Sequence, residues 1–153
     1  MNDEASGIES QKPESNSDWL LQHIVDLTNT GIPVPVTLTT AAGLVTGVTI
    51  HGAEYLDLFK LELTKNWASD MQDTYSEVVE QWKADTYPQP SPIEHDGPER
   101  FASFIHLKDA RLVNAGTVVP GNSGMLWRGR LSSVIGFTIG VLTAGGAEEQ
   151  AEE

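Results

Sequence analysis

The residues with the clearest capacity for covalent chemistry form the string Gly121-Asn122-Ser123-Gly124. A serine held in a tight glycine loop can act as a nucleophile in acyl transfer. It does so when a histidine takes its proton and a carboxylate orients that histidine. Four histidines could supply the base, at positions 23, 51, 95 and 106. The string therefore raises the question of a hydrolase.

The string is similar to the G-[DN]-S-G nucleophile loop of chymotrypsin-like serine proteases, but the remaining parts of such an enzyme are not found. His51 is the upstream candidate base, yet it lies in TIHGAE rather than in the alanine-histidine context of those proteases. A chain of 153 residues is also short for two six-stranded barrels. We favour a Gly-Asn-Ser turn between strands, and we predict that the protein is not an enzyme.

The histidines do not have the spacing of a metal site. They are far apart, and no H-x3-H or H-E-x-x-H pair occurs. The chain has no cysteine, which excludes disulfides and thiolate metal sites. Neither a phosphate-binding G-x-x-x-x-G-K-[ST] loop nor a dinucleotide-binding glycine motif is present. We therefore expect no cofactor and no metal. His106 alternates with Ile105 and Leu107, which predicts that it points away from the core.

Two arginines lie in one of the most apolar stretches of the chain, LWRGRLSSVIGFTIGVL at residues 126–142. In strand alternation Arg128 and Arg130 share the outer face, whereas Trp127 and Leu131 share the core face. Two roles remain open for the arginines. They could form ion pairs across the sheet, or they could contact the carboxylates of a partner.

Basic residues are scarce, which makes the few in the C-terminal half candidates for an interaction site. The chain holds 22 acidic and 9 basic residues, for a net charge of −13. The candidate interaction residues are Arg128, Arg130, Lys108 and Arg111. Residues 1–18 and the last seven residues each carry −4, which leaves −5 for the body between them.

An acidic body of this kind repels nucleic acid at long range and argues against docking on anionic lipid. We therefore expect neither nucleic acid nor membrane as a partner. The N-terminus lacks the basic and apolar regions of a signal peptide, and no apolar run has the length of a membrane span. These features predict a cytoplasmic protein.

The sequence predicts one structured domain between two acidic ends. Residues 1–17 and 144–153 are too polar to offset their ordering entropy, and we predict that both are disordered. The domain at 18–143 should begin with a helix capped at Ser17 or Asp18, with Trp19 as a core anchor, and that helix should end near Gly31. A proline-rich loop is predicted at 86–99.

The remaining pattern predicts a mainly β domain with helices, of the α+β class. Alternation predicts a hairpin over residues 34–50 and a strand from Phe104 that continues to Val113. A closing hairpin is predicted from Met125–Leu131 and Phe137–Leu142. EYLDLFKLEL fits either a strand or a helix start, and residues 67–82 form a mid-chain helix with an apolar face of Met71, Tyr75, Val78, Val79 and Trp82.

A repeated spacing between glycine and aromatic residues predicts a small barrel. Gly47 and Gly129 are each followed eight residues later by an aromatic, Tyr55 and Phe137. Glycine permits the sharp bend of strands in small antiparallel barrels. The expected architecture is therefore a small antiparallel barrel-like domain of the Sm-like or SH3-like kind.

The segments FIHLKDARL and LWRGRLSSVIGFTIG resemble the signature of the gas vesicle accessory protein GvpU family. The residues that carry the resemblance are Phe104, Ile105, His106, Leu107, Lys108, Trp127, Arg128, Gly129, Arg130, Leu131, Val134, Gly136, Phe137 and Gly140. A weaker match covers the N-terminal helix and the Gly47–Tyr55 segment, so the resemblance spans residues 19–142. The chain differs from the family in its proline-rich loop and its acidic tail.

The resemblance implies a non-enzymatic protein associated with gas vesicles in the cytoplasm. As in that family, its expected activity is to associate with itself and with gas vesicle shell proteins, promoting clustering and phase separation. The alternative is an Sm-like module that binds single-stranded RNA or another protein. An RNA-binding module needs a basic, aromatic-lined surface, and the net charge of the body disfavours it.

Overall fold

The computed structural model describes residues 17–88 and 101–143 of the chain. The helices are α1 (Trp19–Asn29), α2 (Gly52–Thr64) and α3 (Ser69–Thr86). The strands are β1 (Pro35–Thr40), β2 (Gly43–Ile50), β3 (Phe104–Asn114), β4 (Thr117–Val119), β5 (Met125–Arg130) and β6 (Val134–Ile139). A short 3₁₀ turn, Leu131–Ser133, joins β5 to β6.

Helix α1 begins and ends as the sequence predicts, but its buried face does not include Trp19. The Asp18 carboxylate accepts from the Leu20 backbone N–H at 2.9 Å, and Gly31 follows the helix with a φ of 100°. The buried stripe is Leu21, Ile24, Val25 and Thr28, at the i, i+3, i+4, i+7 spacing of one helix face. Trp19 lies on the other side of the helix and is 76% exposed, so the prediction of a core anchor was wrong.

The six strands form one antiparallel sheet in the order β4-β3-β2-β1-β6, with β5 also paired to β3. The predicted β1–β2 hairpin is confirmed, with Pro35 opposite Val48 and Thr40 opposite Gly43. The predicted closing hairpin was wrong. β5 pairs with β3, and β6 pairs with β1 on the far side of the hairpin. The 3₁₀ turn separates the two strands and redirects the chain.

A bulge in β3 lies opposite Gly47, the glycine at which the sequence predicts an irregular strand. The β2–β3 register shifts between Thr46 and Val48, and Asp109 on the facing strand has a φ of 51°. A Cβ at Gly47 would lie 3.0 Å from the Lys108 carbonyl oxygen and 3.1 Å from the Ala110 Cα. The absence of a side chain therefore lets the two backbones approach at the bulge.

The hydrophobic core lies between α1 and one face of the sheet. Leu38 and Leu107 are fully buried there, with Leu21 and Ile24 from α1 above them. Trp127, Val134 and Phe137 pack against this cluster from β5 and β6. The sequence alternation thus places Trp127 and the arginines on opposite faces, as predicted.

Helices α2 and α3 form a hairpin that covers part of the other face of the sheet. The ambiguous segment EYLDLFKLEL is helical in α2, which the His51 Nδ1 caps by accepting from the Ala53 N–H at 3.0 Å. α2 packs on α3 and on strands β3 and β5. The Gln72 side chain donates to the Thr64 carbonyl at 2.7 Å, and Lys83 binds Asp57 at 3.0 Å. These bonds hold α3 along α2.

The α+β class with an N-terminal and a mid-chain helix is therefore confirmed, while the sheet is not closed into a barrel. The predictions of disorder at 1–17 and 144–153 and of a loop at 86–99 fall almost entirely outside the described residues. Among the helices that the structure describes, none is both long enough and apolar enough to cross a membrane.

Candidate interaction site

The Ser123 loop lies at the surface, where residues 121–123 form a bend of the backbone. The Ser123 backbone N–H donates to the Oδ1 of the adjacent Asn122 at 2.9 Å. Within residues 17–88 and 101–143, no hydrogen bond joins the Ser123 hydroxyl to a histidine. The second glycine has a packing role, because a Cβ at Gly124 would meet the Asp109 backbone, with the carbonyl oxygen at 2.6 Å.

Replacing Gly124 by alanine should destabilise the domain by about 1–3 kcal/mol, the usual cost of overpacking. The added methyl would press on the backbone of the β3 bulge, which cannot move as a side chain can. The measurement is urea unfolding followed by circular dichroism. Gly121→Ala is the matched control, because nothing lies within 4 Å of its Cβ position. Equal stabilities of the two variants would show that the loop is not packed against Asp109.

His51 and His106 have structural partners in the fold. His51 caps α2, and His106 is 4% exposed beneath Tyr55 of α2 and Tyr87 at the end of α3. In the described part of the chain, no group of three or more histidine or acidic residues could hold a metal ion. The alternation of His106 with Ile105 and Leu107 is confirmed, but the face to which it points is covered by helices.

Arg128 and Arg130 lie side by side on the face of β5 opposite the core. In the β3–β5 register Arg128 stands opposite His106, and Arg130 stands opposite Phe104. Both arginines are exposed. Neither forms an ion pair with a carboxylate of the described residues. Among the described strands, therefore, the arginines do not form the cross-strand ion pairs that were one of their two open roles.

The Arg128 side chain is held in place by neutral groups. Its Nε donates to the His106 Nε2 at 3.1 Å, and its guanidinium carbon lies 3.7 Å from the centre of the Phe104 ring. An arginine over an aromatic face is attracted by the ring quadrupole. These contacts fix the direction of the guanidinium without neutralising its charge, which leaves the charge available to a carboxylate from outside the domain.

His106 is kept neutral by its surroundings. Burial is the largest cause that lowers its pKa to about 4, followed by the positive charge of Arg128 and that of His51. The Arg128 Nε can only donate, so the His106 Nε2 must be the unprotonated, accepting nitrogen. A protonated His106 would lose this bond and place two cations 3.1 Å apart. The neutral histidine thus accepts the hydrogen bond that orients the Arg128 side chain.

Lys108 and Arg111 lie on the same side of β3 but are only half-exposed, whereas Arg128 and Arg130 are exposed. They stand opposite Val48 and Thr46 of β2. The Lys108 Nζ lies 3.4 Å from a Glu54 oxygen of α2, which partly offsets its charge. Arg111 donates through Nη2 to the Asn122 carbonyl at 3.3 Å, while its Nε is buried with no hydrogen-bond partner in the described structure. The most available positive charge is therefore that of Arg128 and Arg130.

Sequence reasoning missed an aromatic pocket beside Arg128. Its walls come from α2 and the end of α3, with a volume of about 340 Å³, and they include Tyr55, Phe59, Trp82 and Tyr87. Burial raises the pKa of Tyr55. The available signal is the density of aromatic residues between positions 55 and 87, but the sequence pattern leaves Tyr55 and Phe59 in a segment open between strand and helix, and it places Trp82 on the apolar face of a separate helix.

A family model described as gas vesicle protein GvpU-like matches residues 18–142 of the chain. The match begins at the N-cap of α1 and ends three residues after β6, so it includes every strand and helix described above. It also includes Arg128, Arg130, Lys108 and Arg111. No curated protein and no solved structure matches the chain.

Proposed function

The chain belongs to the GvpU-like family of gas vesicle proteins, and from this membership we propose that it is a non-catalytic accessory protein that clusters gas vesicles by binding to itself and to their surface. Its place of action is the cytoplasm, in association with gas vesicles. The family match over most of the chain supports the association with gas vesicles.

The observation that carries self-association is the exposed pair of arginines without a carboxylate partner among the described residues. The chain has 22 acidic residues, and four glutamates lie among its last seven positions. A small fixed basic patch on β5 complements acidic segments of another copy. Each exposed contact contributes about 0–1 kcal/mol. Many such contacts act together when each copy offers both a patch and acidic segments.

Replacing Arg128 and Arg130 by glutamate should weaken self-association while the fold is retained. Wild-type assembly should also weaken as salt rises, because exposed charges are screened over about 8–10 Å at moderate ionic strength. The measurement is light scattering against protein and salt concentration, with circular dichroism as the check on folding. Lys60→Glu with Lys65→Glu is the matched control, because it changes the net charge of the protein by the same amount at a different place, in α2 and at its C-cap.

If both double variants lose assembly to the same extent, net charge and not the arginine patch controls it. If the folded arginine variant assembles as wild type does at low salt, the self-association surface lies elsewhere. Contact with vesicles is tested separately by floating purified gas vesicles with the protein and measuring how much protein the buoyant layer carries. Failure there with assembly intact would contradict only the vesicle contact.

A further inference from the structure

Helix α3 carries an apolar stripe that the described domain leaves uncovered. The helix is amphipathic as predicted, but of its apolar residues only Val79 is buried, on the side that faces α2. Met71, Val78 and Trp82 are 56%, 39% and 43% exposed. Their i, i+7, i+11 spacing places them in one row along three turns of the helix. We call this row the α3 stripe.

The α3 stripe is bordered by a line of aromatic rings in defined geometry. Tyr75 packs edge-on against Trp67 at 5.4 Å between centroids and against Trp82 at 6.0 Å. Such edge-to-face pairs restrict the rings. Because these rings are already ordered, they would lose little side-chain entropy when a partner binds.

The α3 stripe leads into the aromatic pocket of about 340 Å³ described above, since Trp82 belongs to both. Tyr55 and Phe59 of α2 form the pocket wall next to Trp82, and their rings stack at 6.0 Å. A row of exposed apolar residues that ends in a concave aromatic pocket has the form of a groove for an amphipathic helix. One anchoring side chain of that helix would fill the pocket.

The charges beside the α3 stripe select the kind of partner. Asp70, Glu77 and Asp85 are exposed and lie along one edge of the stripe by helical spacing. Lys83 is the only cation of α3, and it is already bound to Asp57 and Glu80. A second copy would bring the same carboxylates against these, and like charges across an interface are unfavourable. The edge therefore favours lysine or arginine on the partner.

We propose that the α3 stripe and its pocket bind an amphipathic helical segment of another protein whose apolar face is flanked by lysine or arginine. The pocket end of this site adjoins the basic patch on β5, since Arg128 also lines the pocket, but the proposal does not rest on the clustering function. The apolar row would supply the contact area, and the acidic edge would set the charge preference and the orientation of the bound helix.

The test uses a fluorescently labelled amphipathic peptide of leucine and lysine, with a leucine–glutamate peptide of the same pattern, in anisotropy titrations with the full chain. The lysine peptide should bind and the glutamate peptide should not. Met71→Ser with Val78→Ser should weaken binding about tenfold or more. Leu20→Ser with Ile135→Ser is the matched control, because these residues are 42% and 73% exposed but lie elsewhere, and this variant should bind as wild type does.

The charge preference is tested with two variants of equal net charge. Asp70→Asn, Glu77→Gln and Asp85→Asn together neutralise the edge, whereas Asp26→Asn, Glu62→Gln and Asp109→Asn neutralise three exposed carboxylates on other elements. The edge variant should lose about tenfold in affinity and the other less than about twofold. Equal losses would show unspecific attraction to an acidic protein and overturn the proposal. Wild-type affinity of the Met71→Ser, Val78→Ser variant would also overturn it. The same holds if the wild-type protein sediments as a dimer that only this variant dissociates.

Discussion

Replacing Trp127 by alanine should cost about 3 kcal/mol of unfolding free energy, at the lower end of the range for buried tryptophan. The ring packs against the core from β5, opposite Leu107, and its far edge lies over Gly129, where a Cβ would overlap the ring. The other side of the ring lines an open cleft of about 530 Å³. Because one side of the ring faces this cleft, the substitution removes core contacts from the other side of the ring only.

The matched control is Trp19→Ala, which removes the same side chain from a site that is 76% exposed. Surface substitutions of this kind usually change stability by no more than about 0.5 kcal/mol. Both free energies come from urea unfolding of the full chain. If Trp19→Ala destabilises the protein as much as Trp127→Ala, then Trp19 is covered by a segment outside the described residues.

The contrast between these tryptophans shows what helical periodicity can and cannot reveal. The sequence predicts the bounds of α1, because its cap and its C-terminal glycine are local signals. It does not reveal the buried face, because that face includes polar residues. Gln22 is buried and exchanges two hydrogen bonds with the Ala102 backbone, at 2.9 and 3.0 Å. Thr28 is buried and bonds Thr49 at 2.6 Å. Because polar residues occupy part of the buried face, the apolar pattern favoured a face that includes Trp19, which the fold exposes.

The sheet order was predictable only where strands adjacent in sequence pair. The β1–β2 hairpin follows from alternation across a short turn, and adjacent strands usually pair. That tendency also led to the wrong closing hairpin of β5 and β6. Their true partners, β3 and β1, are specified by packing across the core, and no local pattern encodes such long-range pairing. Strand alternation still placed Arg128 and Arg130 correctly on the outer face.

The environment of the arginines could not be predicted, because it depends on the α2–α3 hairpin. The sequence left most of α2 open between strand and helix, so nothing indicated that it would cover His106. Once α2 and the end of α3 lie over β3, His106 becomes buried beneath Tyr55 and Tyr87. The hairpin thereby turns an outward-facing histidine into a neutral acceptor for Arg128. This change has a measurable consequence.

The stability of the protein should fall by up to about 3 kcal/mol as the pH is lowered from about 6.5 towards 4, because of His106. Its pKa is about 4 in the folded state and near 6.5 when unfolded. In this window the unfolded chain takes up a proton that the folded chain cannot. One unit of pKa difference corresponds to about 1.4 kcal/mol. The stabilisation is complete above the unfolded pKa and is lost as the pH falls towards the folded one.

Two other shifted groups contribute with opposite signs. Burial also lowers the pKa of His51, which adds to the acid destabilisation. Burial raises the pKa of Asp26, which opposes it at the acid end. The decisive comparison is therefore between variants. In urea unfolding at pH 7.5 and at pH 4.5, His106→Gln should lose most of the wild-type difference, because glutamine can still accept from Arg128 but does not titrate. His23→Gln, at an exposed histidine, should keep it. If His106→Gln keeps the wild-type pH dependence instead, burial does not lower the pKa of His106 in the folded protein. The inference that a neutral His106 accepts the hydrogen bond of Arg128 would then be wrong.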